Sequence, residues 1–591
     1  MTGYKLKVYM QARFYLLVII ALIGGNTAFG QTPEATPTAS PTPFQRDKEG
    51  VAPDEIKNVP PIAPGFRSDD RSLPDLQRVG VDTSIQRPLT VREAIALALE
   101  NNKDIEVTRR DIRIAEFNLK AARGVYEPRI TGEAYYERST VPNISFFTPD
   151  VSKVTNKHLI GNATLQVPLP KFGTVFSSSF NNDRQTTSNP VSIISPQYSA
   201  GLGFSVRQPL FRGRSIDQQR RNIEVAKRNL TLTDTQFRQR TIEIINNVQR
   251  AYWDLTYALR NLQVQRDAVS DAKQQLEHNR RLVDEGQLAP IDIVAAETQV
   301  ANYEQAVYEA LNNVNVSENY LKNLISTNRN DTLWNGTLVP VDSVVIDVPT
   351  TTLGEALDSA LANRPELEVA QAQKDINAID QRLYRDQKKP KIDLVAGYTS
   401  AGIGGAVNPN FVNPFCAQNP NAPCDLTGQQ QLMQAVGGGG TAYSDIFRNR
   451  YPTYRVGVSF DLPLFGDKTA RANYGRTVVE GEKIELQRDQ IEQGIQMDVR
   501  NAIQAVRTAE ARLRAASVAR ENTVKQYESE QRKLDAGQSD IYKVLERQTA
   551  LTTARSNELR ARTELNKAIA DLHRATGNSL KANDIDEKLS K

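Results

Sequence analysis

Apolar residues recur at strict seven-residue spacing through Val248, Leu255, Leu262, Val269, Leu276 and Val283, the seam of a coiled coil. No proline falls between Ser215 and Ala289. The pattern therefore predicts one uninterrupted helix from Ser215, a reversal at Glu285-Gly286-Gln287, and a shorter helix returning to Ser326. At about 1.5 Å per residue, some seventy residues make a rod about 100 Å long.

Upstream of the rod the period drops to two. Ile130, Gly132, Ala134 and Tyr136 alternate with Thr131, Glu133, Tyr135 and Glu137, and Tyr198, Ala200, Leu202, Phe204 and Val206 alternate with Ser199, Gly201, Gly203, Ser205 and Arg207. Each is a strand with one apolar and one polar face, as required of a barrel wall between lipid and water, although a soluble antiparallel sheet gives the same pattern. The intervening insert, Arg138 to Gln197, holds another alternating piece at Ala163, Leu165 and Val167, a turn at Pro170-Lys171-Phe172-Gly173 and a run to Phe180. It either lengthens the wall above the membrane, the preferred reading, or adds strands.

The pattern then repeats. Thr90, Glu93, Ala94, Ala98, Pro128 and Tyr136 meet Thr352, Glu355, Ala356, Ala360, Pro390 and Tyr398, 262 positions on; Val248, Ala251 and Gly286 meet Val499, Ala502 and Gly537, 251 positions on. "QPLF" (Gln208 to Phe211) returns as "LPLF" (Leu462 to Phe465), and the strands return as Ile392 to Tyr398 and Tyr454 to Leu462. The chain is an internal duplication. Its expected segments are the first repeat at 88–327, an equatorial connector at 328–350, the second repeat at 351–580 and a polar tail at 581–591. Within the first repeat, Thr90 caps a helix, with Glu93 at the capping-box position, and a second helix spans Asp104 to Val125.

The flanks set the compartment. Lys5, Lys7 and Arg13 precede the apolar run Phe14 to Ile23 and the small-residue end Ala28-Phe29-Gly30, a secretory signal peptide over 1–30. Residues 31–87 open with eight prolines between Gln31 and Pro64 and are expected to be a disordered tether, with order beginning near Pro88. No later apolar run approaches a membrane-spanning helix, which leaves an aqueous compartment or a β-barrel. The near balance of 73 basic and 69 acidic residues argues against nucleic acid as a partner. Both cysteines, Cys416 and Cys424, fall in a second insert, Ala401 to Arg450, where an oxidising compartment favours a disulfide over two free thiols.

Two such strands per repeat give four, too few to close a barrel, so the chain is expected to assemble with copies of itself. The upstream and downstream helices, end to end, nearly match the rod, which predicts a cylinder of paired coiled coils continuing from the barrel. This arrangement resembles the TolC family of outer-membrane factors. The resemblance is carried by "LTVREAIALALENN" (Leu89 to Asn102), "PRITGEAYY" (Pro128 to Tyr136), "RQPLFRG" (Arg207 to Gly213), "AYWDLTYAL" (Ala251 to Leu259), "DEGQLAPIDIVAAETQV" (Asp284 to Val300) and "DAGQSDIYKVLERQTAL" (Asp535 to Leu551).

The family implies a mainly α fold with a β-barrel portion: a homotrimer whose twelve-stranded barrel sits in outer-membrane lipid and continues as a coiled-coil α-barrel across the periplasm. Such a channel serves as the exit duct of a tripartite efflux or type I secretion system, beside a periplasmic adaptor and an inner-membrane transporter. The reversals Gly286-Gln287 and Gly537-Gln538 would form the periplasmic tip and touch the adaptor. The family's acidic gate positions fall on Asp292, Lys543 and Glu546. Lys543 departs from an acidic ring and suggests salt bridges with Glu546 instead.

Tyr252 and Trp253 read as core within a coiled coil. His158, His278 and His573 read as isolated, and no phosphate loop, nucleophile elbow or zinc motif accompanies them, so neither catalysis nor a cofactor is expected. Three histidines and four methionines mildly favour organic or polypeptide cargo over metal ions. The rival readings are a periplasm-spanning coiled-coil spacer or adaptor without a pore, which leaves the amphipathic strands unexplained, and an adhesin, which leaves the tip motifs unexplained.

Overall fold

The structure, a computed structural model, describes residues 78–145, 148, 150–342, 349–413, 437–463 and 466–585. The signal peptide, Cys416 and Cys424, most of the tether and the end of the tail lie outside the described residues.

Two long helical hairpins dominate. In the first, α3 (Gln218–Asp284) turns into α4 (Pro290–Ile325); in the second, α8 (Lys468–Asp535) turns into α9 (Ile541–Ala575). The 67 residues of α3 make a rod about 100 Å long. Of the heptad positions, Val248, Leu255, Val269 and Leu276 are buried, and Ala268, Val269, Ala272 and Leu276 pack on Ala296, Val300, Tyr303 and Val307 of α4. Each rod has a second companion above its hairpin partner: α2 (Lys103–Arg123) lies along α3, and α6 (Pro365–Gln387) lies along both α3 and α8. Two short helices, α1 (Val91–Asn101) and α5 (Leu353–Asn363), precede them. Both begin at a capping threonine, Thr90 or Thr352, whose hydroxyl accepts from the backbone N–H of Glu93 or Glu355.

The tether ends earlier than its composition suggests. Asp82 to Leu89 form β1, which pairs in parallel with β6 (Gly336–Pro340) of the connector. Arg78, still further upstream, is buried against α4. Its guanidinium meets Glu318 and Thr337, while Glu318 also accepts from the Leu338 backbone N–H at 2.8 Å and from Lys322. The Lys322 ammonium, fully buried, donates to the carbonyls of Gly336 at 2.7 Å and Trp334 at 3.2 Å. Burial holds its pKa below the ordinary lysine range, against the opposing pull of Glu318. No local pattern announces β1: its partner is about 250 residues away, and its bonds are backbone bonds.

The largest departure is in the sheet. Six strands, not four, pair in the order β2 (Arg129–Pro142), β3 (Lys153–Pro168), β4 (Val175–Thr187), β5 (Ile194–Pro209), β7 (Lys391–Val407) and β8 (Tyr451–Asp461), all antiparallel. The first insert thus adds two strands to the sheet and does not merely raise a loop above it. Its alternation continues the apolar face: Leu165 sits opposite Ile130 and Ala163 opposite Gly132, while Phe180 sits opposite both Ala163 and Leu202. The β3–β4 turn is tied to the loop beneath β5. Gln208 donates to the Phe172 carbonyl at 3.1 Å, and a Cβ on Gly173, at φ +68, would lie 2.6 Å from the Gly213 carbonyl oxygen. The second insert carries an unforeseen helix, α7 (Gly439–Phe447), whose Ala442 and Ile446 pack on Ala200. Gly402 makes room for it: a Cβ there would meet the Ala442 carbonyl oxygen at 1.8 Å. A short helix, α10 (Ser579–Ala582), closes the described chain.

Candidate duct wall and tip

Both reversals end in the same motif. At the first, the N–H of Gly286 donates to the Val283 carbonyl at 2.9 Å and that of Gln287 to the Leu282 carbonyl at 2.8 Å; Gly537 and Gln538 repeat this on Leu534 and Lys533, at 2.9 and 2.8 Å. These paired bonds are a Schellman closure, which requires the residue after the cap to be left-handed. Gly286 has φ +73 and Gly537 φ +68, and nothing lies within 4 Å of a Cβ built on either. Conformation alone therefore selects glycine. Gly286→Ala or Gly537→Ala should each cost about 1–2 kcal/mol, read as a lowered denaturation midpoint. Asparagine, which tolerates this region, should recover part of the loss.

The three residues expected at the gate, Asp292, Lys543 and Glu546, sit just beyond these turns, in different settings. Asp292 closes the start of α4, accepting from the Ala289 N–H at 3.1 Å, with Pro290 in the first turn. Lys543 is exposed, and within one copy its ammonium pairs with Asp540 at 3.1 Å. Asp540 also caps α9, accepting from the Lys543 backbone N–H at 3.0 Å, and that bond, followed by the ammonium, holds its carboxyl below the usual range. Glu530 meets Ser539 and Lys533, and the Ser539 hydroxyl is the main reason its pKa is lowered. Sequence reasoning missed Glu530, Ser539 and Asp540, although an Asp three residues before Lys543 is itself a cap signal. Glu546 lines a groove of about 980 Å³ between α4, α8 and α9, with Tyr542, Leu545 and Thr549.

The two hairpins are joined differently from how each is held together. Inside the second, Ile495, Val499, Ile503 and Val506 of α8 pack on Leu565, Ala568 and Leu572 of α9. Between hairpins the seam is a polar ladder. Asp571 accepts from Asn246 at 3.0 Å and Arg250 at 2.9 Å, Lys567 pairs with Asp254 at 2.7 Å, Ser556 donates to Asn261 at 2.9 Å, and Thr549 accepts from Gln299 at 2.9 Å. Near the tip, Arg555 faces Asp271 at 3.7 Å, and His278 meets Asp535 at 3.2 Å. His278 is thus not isolated, nor is His158, which meets Asp183 at 3.0 Å on the sheet; Asp183 lies on the adjacent strand β4, and Asp535 comes from the other hairpin.

The sheet has two unlike faces. One carries Ile130, Tyr136, Leu159, Leu165, Phe204, Leu394, Tyr454, Val456, Val458 and Phe460, all exposed except Leu165; Val456 is 79 % exposed. The other carries Glu133, Glu137, Ser177, Ser179, Arg207, Asp393, Arg455 and Asp461. Such an apolar surface belongs in lipid, with the polar face toward water. No described helix is long and apolar enough to cross a membrane.

The outer membrane efflux protein family matches residues 168–327 and 356–578. Solved structures share the fold. The Campylobacter jejuni CmeC outer membrane channel is 16 % identical, with 83 % of this chain and 86 % of that one covered at a TM-score of 0.57. The Vibrio cholerae outer membrane protein VceC is 12 % identical, with 82 % and 96 % covered at 0.55. The open-state Neisseria gonorrhoeae MtrE outer membrane channel is 16 % identical, with 83 % and 89 % covered at 0.52. No curated protein sequence matches. The family match spans both repeats, and with the long helical hairpins below an amphipathic sheet it shows that this chain belongs to the outer membrane efflux protein family, as a channel of the outer membrane.

Proposed function

We propose that three copies form one gated exit duct, through which cargo handed over by an inner-membrane transporter and a periplasmic adaptor leaves the cell without any reaction in this component. The observation that carries the gating is the contrast between apolar hairpin interiors and the polar seam between hairpins. Each hairpin moves as a body, because opening its core exposes apolar surface. The seam separates at lower cost, because its charges regain water. Adaptor contact at Gly286-Gln287 and Gly537-Gln538 then draws the second hairpin outward, and Asp292, Lys543 and Glu546 line the constriction. The same architecture serves drug efflux or type I secretion.

The test is single-channel conductance of the purified trimer in a planar bilayer. Lys543→Glu removes the pair with Asp540 and places like charges around the axis, so the small resting conductance should rise. Folded trimers with no conductance, wild type or mutant, would restore the spacer reading.

A further inference from the structure

The sheet is open, and its two edge strands are its most exposed parts: every residue of β8, and all but one of β2, is exposed. Unpaired edges of this length demand a partner. The duplication identifies it. In chain order β2 is to the first repeat what β7 is to the second, 262 positions apart, as Pro128 and Pro390 show; β5 corresponds to β8, 254 positions apart, as Pro209 and Pro463 show. Within one chain β5 pairs with β7, Val206 opposite Ala396 and Phe204 opposite Tyr398. The matching junction joins β8 of one copy to β2 of the next.

We propose that β8 and β2 of neighbouring copies pair antiparallel in that transferred register, with Phe460 opposite Ala134, Val458 opposite Tyr136 and Ser459 opposite Tyr135, and so close a barrel of eighteen strands. The count is six strands in each of three copies, and it rests on the trimeric reading above. The transferred register keeps the faces continuous, since Phe460 and Val458 continue the apolar face of Ala134 and Tyr136. Arg455 falls diagonal to Glu137, across Gly457. Asp461 faces Glu133, with Lys391, its partner on the other flank, as counter-charge. The helices below end in the same way: the outer members α2 and α8 expose Val107, Ile114 and Phe117 on one side and Val479, Leu486 and Met497 on the other. A second copy covers both at once. Eighteen strands make a ring about half again as wide as the family's twelve, in the range that leaves an aqueous channel.

The test uses the full chain carrying Cys416→Ser and Cys424→Ser, with Ser459→Cys and Tyr135→Cys added, oxidised in isolated outer membranes. Covalent dimers and trimers should dominate a denaturing gel. The pair Phe460→Cys and Ala134→Cys should behave alike, while Ser459→Cys with Glu133→Cys, a two-residue slip, should leave monomers. Trimers that conduct but link only in the slipped pair, or not at all, overturn the proposed junction while the duct reading survives. A twelve-stranded ring in end-on electron cryomicroscopy, with β3 and β4 outside it, overturns the strand count. Absence of trimers and conductance overturns the duct reading and this proposal together.

Discussion

Glu318→Gln should destabilise the folded chain by about 3–5 kcal/mol, the cost of leaving buried cations without their counter-charge. Glu318 is 1 % exposed and touches Arg78, Lys322 and the Leu338 N–H at once. The amide keeps one acceptor and loses the charge, so two cations face a dry pocket. Lys322 can then shed its proton, which caps the penalty, because burial already lowers its pKa. The variant should show a reduced denaturant midpoint and early proteolysis upstream of β1, where Arg78 is no longer held. Replacing Arg78, Glu318 and Lys322 together with leucine or methionine should recover most of the loss. A single-site cost below about 1 kcal/mol would mean that water reaches the cluster.

Tyr252→Ala should cost about as much, about 3–5 kcal/mol, for a different reason. The ring is fully buried at mid-rod, edge-on to Trp253 at 5.3 Å. Its hydroxyl lies 2.7 Å from the Asp342 carboxylate and 3.0 Å from the Leu89 carbonyl, and the Asp342 N–H donates back at 3.2 Å. Tyr252 therefore fastens the rod to both β1 and the connector, and burial pushes its phenol pKa up. Tyr252→Phe separates the terms: it keeps the ring and leaves the Asp342 N–H without its acceptor, while the Leu89 carbonyl and the Asp342 carboxylate keep the Val341 and Val91 N–H groups. That loss should cost about 1–3 kcal/mol. Equal losses in both variants would assign the whole effect to the hydroxyl.

How legible these features were depended on how far each signal reached along the chain. The rods, their reversals and the capping threonines follow from spacing within a few turns, and the structure places Val248, Gly286 and Thr90 in those roles. The alternation of Ala163, Leu165 and Val167 was visible too, but nothing local says whether such a strand joins a sheet or stands above it. That is decided by Ile130 and Gly132 across the ladder. The β1–β6 pair, the Arg78–Glu318–Lys322 cluster and the inter-hairpin ladder from Asn246 to Asp535 join residues with no common local pattern. At the tip, Lys543 and Glu546 are legible from their spacing after Gly537, whereas the Lys543–Asp540 pair within one copy depends on how the cap of the helix folds.

The added β3–β4 hairpin also bears on how the sheet and the rods fit one another. Each copy brings four helices to the level just below the sheet, α2, α3, α6 and α8, and only the strands β2, β5, β7 and β8 continue into them. In the proposed trimer, helices packed at about 8–10 Å would give a ring of twelve a circumference of about 96–120 Å. Twelve strands spaced about 4.8 Å apart and tilted about 40° span only about 75 Å, whereas eighteen span about 113 Å. In the proposed trimer the hairpin, which has no helix beneath it, would supply the missing girth, and the conduit would pass from rods to strands without a neck.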